Sequence, residues 1–322
     1  NRYDTFMWDN PARRTDSTGA SAYSANYANG ASRGRIDLYP DNLAYSGSML
    51  GRVNLPVRTN LVLTGVWGRM LQDDPLLPHT TNTAIKVGAY NSPPFDASDP
   101  DSLPVDRLNA RVDTAVYSAK LSSRPLWRVG LKGGIRYEER VDKRGDLEFP
   151  GWVTFDAMWQ PIPEEMEPTG YLRRKAYAGA SADLVFHTAL NLDYSHEIYD
   201  RNHAREVERS LEDTYKVSLN TSPVDWLELR PSFERSRRQA EHYDYSAPFG
   251  GAIVTLQLPF LRKYDEATRE RRRIGFLGTV DPWDPLSVTA TYYVGTDDFV
   301  ESAFGLLDDH HQVASVEGTY TM

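Results

Sequence analysis

The sequence predicts an all-β protein, an antiparallel meander of about 12 strands, on three observations. Apolar and polar residues alternate with period two over stretches of about 9–11 residues. These stretches come in pairs joined by short turns. The connections between pairs are long and polar, so short and long connections alternate along the chain.

Residues 2–8 are a candidate first strand. Leu43, Tyr45, Gly47, Met49, Gly51 and Val53 then run to a turn at Pro56 and return through Leu61, Leu63, Gly65 and Trp67. The next pair joins Ala115, Tyr117, Ala119 and Leu121 to the clearest alternation in the chain. There Trp127, Val129, Leu131, Gly133, Ile135 and Tyr137 interleave with Arg128, Gly130, Lys132, Gly134, Arg136 and Glu138, one face apolar or small and the other mostly charged. Ala176, Ala178, Ala180 and Ala182 turn near Val185 into Leu190, Leu192 and Tyr194. Tyr215, Val217 and Leu219 turn at Pro223 into Leu227, Leu229, Pro231 and Phe233, with Glu228, Arg230 and Glu234 opposite. Ile274, Phe276, Gly278 and Val280 turn at Pro282 and Pro285 into Val288, Ala290, Tyr292 and Val294, and residues 314–322 still alternate at the end.

Arms of about 9–11 residues match the length a tilted strand needs to cross a bilayer. The turns within hairpins take about five residues, whereas the loops between them cover about 72–110, 141–172, 199–212, 238–271 and 297–310. Short turns at one rim, long loops at the other, and faces divided between apolar and charged residues are the pattern of an outer-membrane barrel. Trp127, Trp226 and Trp283 sit at short turns, where an amphipathic ring meets the membrane–water boundary. A soluble all-β binding protein, a sandwich or propeller, also alternates. Against it, such a core would have to bury Arg128, Lys132 and Arg136 together.

Composition narrows the function. Lys plus Arg number 36 against 45 Asp plus Glu, a net charge of −9 that leaves no general basic footprint for nucleic acid. The 322 residues include no cysteine, so disulfides, thiolate metal sites and covalent haem attachment through this chain are excluded. Seven histidines are present, but His79, His203, His242, His310 and His311 fall in predicted loops and no attachment motif accompanies them. No cofactor and no metal is assigned to the chain. Asp297, Asp298, Asp308 and Asp309 beside His310 and His311 read as a solvated acidic loop, and Glu164, Glu165 and Glu167 lie in a Pro-flanked one. No nucleophile elbow, P-loop, dinucleotide fingerprint or zinc-protease motif occurs, so the chain is read as a non-enzyme. The basic run at residues 269–273 suits lipopolysaccharide phosphates, an acidic cytochrome surface or, equally, a solvated rim. The apolar segment 249–256 suits an inward plug, contact with a surface partner or a small extra hairpin.

Residues 205–217, reading Arg-Glu-Val-Glu-Arg-Ser-Leu-Glu-Asp-Thr-Tyr-Lys-Val, and 222–230, Ser-Pro-Val-Asp-Trp-Leu-Glu-Leu-Arg, resemble the MtrB/PioB family of outer-membrane barrels. Further matches in order are Leu38-Tyr39-Pro40-Asp41-Asn42, Gln72-Asp73-Asp74 with Leu77-Pro78, and residues 258–267 from Leu258-Pro259-Phe260 to Glu266-Ala267. The resemblance implies a barrel in the bacterial outer membrane that sheathes a periplasmic multihaem c-type cytochrome, with an extracellular multihaem cytochrome as a further partner, so that electrons cross the membrane. Haem would then be carried by the partner. The lumen- or partner-facing candidates are Arg128, Lys132, Arg136, Lys216, Glu228 and Arg230. The alternative is a general or solute-selective porin with the same charged lumen. Family members are more than twice this long, so residues 1–322 are read as a single partial barrel domain, part of a larger barrel, that does not close by itself.

Overall fold

The computed structural model describes residues 3–7, 33–37, 41–83, 85–87, 95–154, 158–166, 168–247, 258 and 260–321. Its centre is an 11-stranded antiparallel sheet in which every strand lies beside its neighbour in sequence. The strands are β1 (Leu43–Leu55), β2 (Thr59–Gln72), β3 (Ala110–Leu126), β4 (Val129–Asp142), β5 (Tyr171–Asp183), β6 (Thr188–Arg201), β7 (Arg209–Val224), β8 (Leu227–Ala240), β9 (Arg269–Trp283), β10 (Leu286–Asp298) and β11 (Asp308–Tyr320). The order runs without crossover from β1 to β11. Tyr3–Met7 pairs with Arg33–Asp37 in a separate two-stranded sheet and does not join the meander.

The chain divides into two compact units. One comprises 46–67, 114–140 and 169–322 and holds most of the sheet; the other comprises 1–45, 68–113 and 141–168. Besides 1–45, the second holds the connections from β2 to β3 and from β4 to β5, which are more than polar loop. Leu147–Phe149 pairs with Glu164–Met166, Trp152–Thr154 with Met158–Gln160, and Lys86–Val87 with Phe95–Asp96. Ile85 and Ala97 are buried there against Val153 and Trp159. The segment 249–256 lies outside the described residues.

Period two assigns each strand residue to a face, and register aligns the faces across strands. Leu131, Ala180, Leu192, Val217, Phe233, Ile274 and Val294 form one continuous cross-strand row. Two residues nearer the turns, Pro231, Phe276, Tyr292 and Ala314 form the next. These side chains are uncovered: Ile274 is 59% exposed, Leu192 47% and Phe233 46%. The buried apolar side chains among the described residues are Ile85, Ala97, Val207, Ala267 and Phe299, and all five belong to connections. A sheet of this width with no buried apolar side chain on either face has no protein core, so its apolar face must be covered from outside.

That face is a belt with aromatic margins. Trp127, Phe186, Trp226 and Trp283 lie at the tight turns, exposed by 73%, 85%, 51% and 58%. At the loop side, Tyr194 stacks on Tyr215 with centroids 5.0 Å apart, and Tyr117 lies 6.2 Å from Tyr137. Aromatic margins on both sides of an apolar band are what a bilayer selects. The turn between β5 and β6 places both Phe186 and His187 at positive φ, 55° and 51°, the consecutive left-handed pair whose twist matches that of the strands.

A substitution pair tests the assignment of faces. Phe276→Arg, on the apolar face, should reduce folding stability in vesicles by about 2–4 kcal/mol, whereas Thr291→Arg, on the opposite face, should change it little. Urea unfolding in lipid, followed by tryptophan fluorescence, measures both; equal losses would mean that the faces are wrongly assigned.

Candidate functional site

The opposite face of the sheet carries the chemistry, and its central row crosses eight strands. Lys132, Gly179, Asp193, Lys216, Glu234, Arg273, Gly295 and His311 are successive cross-strand partners. Signs alternate where charges are adjacent, and glycine stands where a side chain has to reach over a strand. Lys132 Nζ lies 2.7 Å from Asp193 Oδ1, two strands away. A Cβ on the intervening Gly179 would stand 2.2 Å from that oxygen and 2.6 Å from Lys132 Cε, so glycine makes the bridge possible. Gly295 likewise leaves room for the His311 ring, whose Nε2 would lie 2.5 Å from an added Cβ. Lys216 meets Glu234 at 3.8 Å, and the Arg273 guanidinium lies 5.0 Å from the centroid of the Tyr293 ring.

The second row, nearer the loops, is Arg136, Lys175, Glu197, Glu212, Arg238 and Arg269. Here like charges stand side by side and resolve diagonally. Glu197 takes Arg173 at 2.7 Å and Lys175 at 3.5 Å; Arg136 turns along its own strand to Glu138 at 2.9 Å; Arg269 reaches Glu212 at 3.0 Å. Arg271 grips Asp297 with two hydrogen bonds, 2.7 and 2.6 Å. Glu138 also accepts the Tyr171 hydroxyl at 2.9 Å beside a recess of about 320 Å³. Exposed pairs of this kind contribute only about 0–1 kcal/mol each, so the network holds side-chain positions more than it holds the fold together.

Five of the six sequence candidates stand on this face. Lys132 and Lys216 share the central row and Arg136 begins the second. Glu228 and Arg230 lie nearer the turns on β8, 3.3 Å apart, in rows continued by Thr279 and Thr289 and by Leu277 and Thr291. Arg128 occupies the turn before β4, its guanidinium 4.1 Å from the Trp127 ring centroid, and belongs to the aromatic margin. Of the residues that complete the network, Asp193, Glu197 and Glu234 lie in the alternating arms, whereas Glu212, Arg271 and Asp297 fall in stretches read as loop, into which β7, β9 and β10 extend; only the register between strands brings them to one face. His310 and His311 begin β11, and period two sends them to opposite faces, each beside its own aspartate at 3.2 and 3.1 Å. Among the described residues no three His, Asp or Glu side chains converge as a metal site.

A smaller polar cluster locks two connections together. Glu206 and Glu266 are fully buried. Arg205 Nε donates to Glu266 Oε1 at 2.5 Å, the Val207 amide donates to Glu266 Oε2 at 3.2 Å, and Lys263 pairs with Glu206. Arg238 reaches out of the sheet to the carbonyls of Tyr264, Asp265 and Ala267. Burial, reinforced by Glu206, raises the Glu266 carboxyl above its ordinary range against the pull of Arg205.

The family model described as "Putative outer membrane beta-barrel porin, MtrB/PioB" matches residues 1–322. No curated protein matches the sequence. Among solved structures, the chain is similar to the β domain of the Bordetella autotransporter BrkA, with 7% identity over 87% of this chain and 91% of that one and a TM-score of 0.36. It is also similar to OmpT, an outer-membrane protein of Vibrio cholerae, at 8% identity over 86% and 93% with a TM-score of 0.39. A Pseudomonas aeruginosa FadL homologue gives 10% identity over 81% and 65% with a TM-score of 0.38.

Two outcomes follow from this geometry. Gly179→Val should displace the Lys132–Asp193 bridge and cost about 1–3 kcal/mol in urea unfolding. Gly133→Ala, whose added carbon would meet only the Tyr177 carbonyl at 3.4 Å, should cost less. For the buried carboxyl, the raised folded-state pKa makes the loop contact strongest below the ordinary carboxylate range, and it weakens as pH rises through the raised value. Amide-exchange protection at Val207 and Ala267 should therefore fall with rising pH, and Glu266→Gln should flatten that dependence; unchanged dependence in the variant would assign it elsewhere.

Proposed function

The chain belongs to the MtrB/PioB family of outer-membrane β-barrel proteins, and on that premise we propose that it sheathes a multihaem c-type cytochrome so that electrons cross the outer membrane. The apolar belt meets lipid and the charged face turns toward the partner. The observation that carries the reading is the internal pairing of that face. A pore that selects small ions presents rings of one sign of charge to the permeating species. Here Lys132, Lys216, Arg173, Arg269 and Arg271 are each matched to a carboxylate of the same sheet. A surface so neutralised exerts little long-range field, yet it offers preorganised donors and acceptors to a folded protein of mixed charge.

These 322 residues contain no cysteine to attach haem covalently, and on this reading the haem arrives on another polypeptide. Electron transfer is then the partner's chemistry, and the barrel acts without catalysis, excluding lipid from the haem chain. A periplasmic cytochrome enters from the short-turn side, and an extracellular one docks at the long loops.

Purification of the tagged protein from outer membranes, followed by an absorbance spectrum, tests this. A stoichiometric c-type haem signal is the expected result, reduced when Asp193→Lys and Glu234→Lys reverse the central row. A haem-free barrel that conducts ions in planar bilayers would replace the sheath with a porin.

A further inference from the structure

The basic run at residues 269–273 is divided by its own strand. Arg269, Arg271 and Arg273 fall on the charged face and are engaged by Glu212, Asp297 and the Tyr293 ring. Arg272 points the other way and is exposed, and among the described residues its side chain has no ion pair or hydrogen bond. Its direct cross-strand partner is Arg235, itself 55% exposed, and Arg237 lies two residues on along the same face. One carboxylate, Glu270, serves this group, at 3.6 Å from Arg235 and 3.8 Å from Arg237.

The position of the group identifies what it meets. The row directly on its turn side is Val217, Phe233, Ile274 and Val294, the last apolar row of the lipid-facing belt. Tyr215 and Thr296 flank the two arginines in their own row, and His310 follows Thr296. Asp213, Arg237, Glu270, Asp298 and Asp308 make the row on the loop side. Two guanidiniums set directly opposite each other across strands repel, and the arrangement is favourable once an anion lies between them. The long-loop side of an outer-membrane barrel is the extracellular side, so this anion-seeking pair sits at the headgroup level of the outer leaflet, with acyl-chain surface directly beneath.

We propose that Arg235 and Arg272 bind a phosphate of lipid A in lipopolysaccharide, with its acyl chains lying over Phe233 and Ile274. Guanidinium forks suit phosphate oxygens in bidentate geometry, and Tyr215 and Thr296, the cross-strand neighbours of the pair, bring a hydroxyl each to the same row. Inner-leaflet phospholipids meet the barrel at the turn rim, the other end of these strands. The site depends on membrane placement alone and stands whether or not a cytochrome fills the barrel.

Native mass spectrometry of the full chain in detergent, titrated with bis-phosphorylated lipid A, dephosphorylated lipid A and phosphatidylglycerol, decides the matter. The unsubstituted protein should retain bis-phosphorylated lipid A. R235Q/R272Q should weaken that binding about tenfold or more, the loss of at least one charge-assisted contact. The charge-matched pair R58Q/R124Q, at the turn end, should not. Dephosphorylated lipid A should bind the unsubstituted protein about tenfold more weakly than the bis-phosphorylated lipid does, a comparison that needs no variant to fold. Undiminished binding by R235Q/R272Q, or equal affinity for phosphatidylglycerol, would overturn the assignment.

Discussion

The backbone ladder is the constraint on which everything else depends. In hydrocarbon no water satisfies an amide or carbonyl, so each must be paired inside the protein. This chain pairs them between neighbouring strands, 11 in unbroken sequence order. Once the ladder exists, period two forces every strand to show one face to lipid and the other away from it. The belt of Leu131, Leu192, Phe233 and Ile274 and the row of Lys132, Asp193, Lys216 and Glu234 are therefore two readings of one hydrogen-bond register.

Charge is organised by the same geometry. Ion pairs on the polar face form both across strands and along them, and the Lys132–Asp193 bridge passes over Gly179, while the His311 ring lies over Gly295. Small residues here serve side chains two strands apart as much as backbone conformation. The apolar face handles charge in the opposite manner. Its arginines begin abruptly one row beyond the belt, and Arg235 faces Arg272 instead of a carboxylate. The charged face is paired internally, whereas on the other face Arg235 and Arg237 share Glu270 and Arg272 has no carboxylate of its own, a difference that suits a protein surface in the first case and an anionic lipid in the second.

The connections repeat the logic of folded protein in water. The described buried apolar side chains are found there, as are the buried Glu206 and Glu266 with their cations. Reading those stretches as polar loop missed the short hairpins around Trp152–Thr154 and Leu147–Phe149, because strands of three residues show too few alternations for a period to emerge.

By itself the sequence determined what is local and periodic: strand positions, the tight turns marked by proline, aspartate and tryptophan, the division of each strand into an apolar and a charged face, and the exclusion of haem attachment by the lack of cysteine. It placed Lys132, Arg136, Lys216, Glu228 and Arg230 on the charged face because parity within a strand needs no partner. Arg128 shares their parity but stands in the turn before β4, where strand alternation no longer fixes a face. Only the tertiary structure decided which charge meets which, why Gly179 is glycine, and how the run at 269–273 divides between two environments. Those facts depend on register between strands, which sums hydrogen bonds over the whole ladder and is written in no single segment.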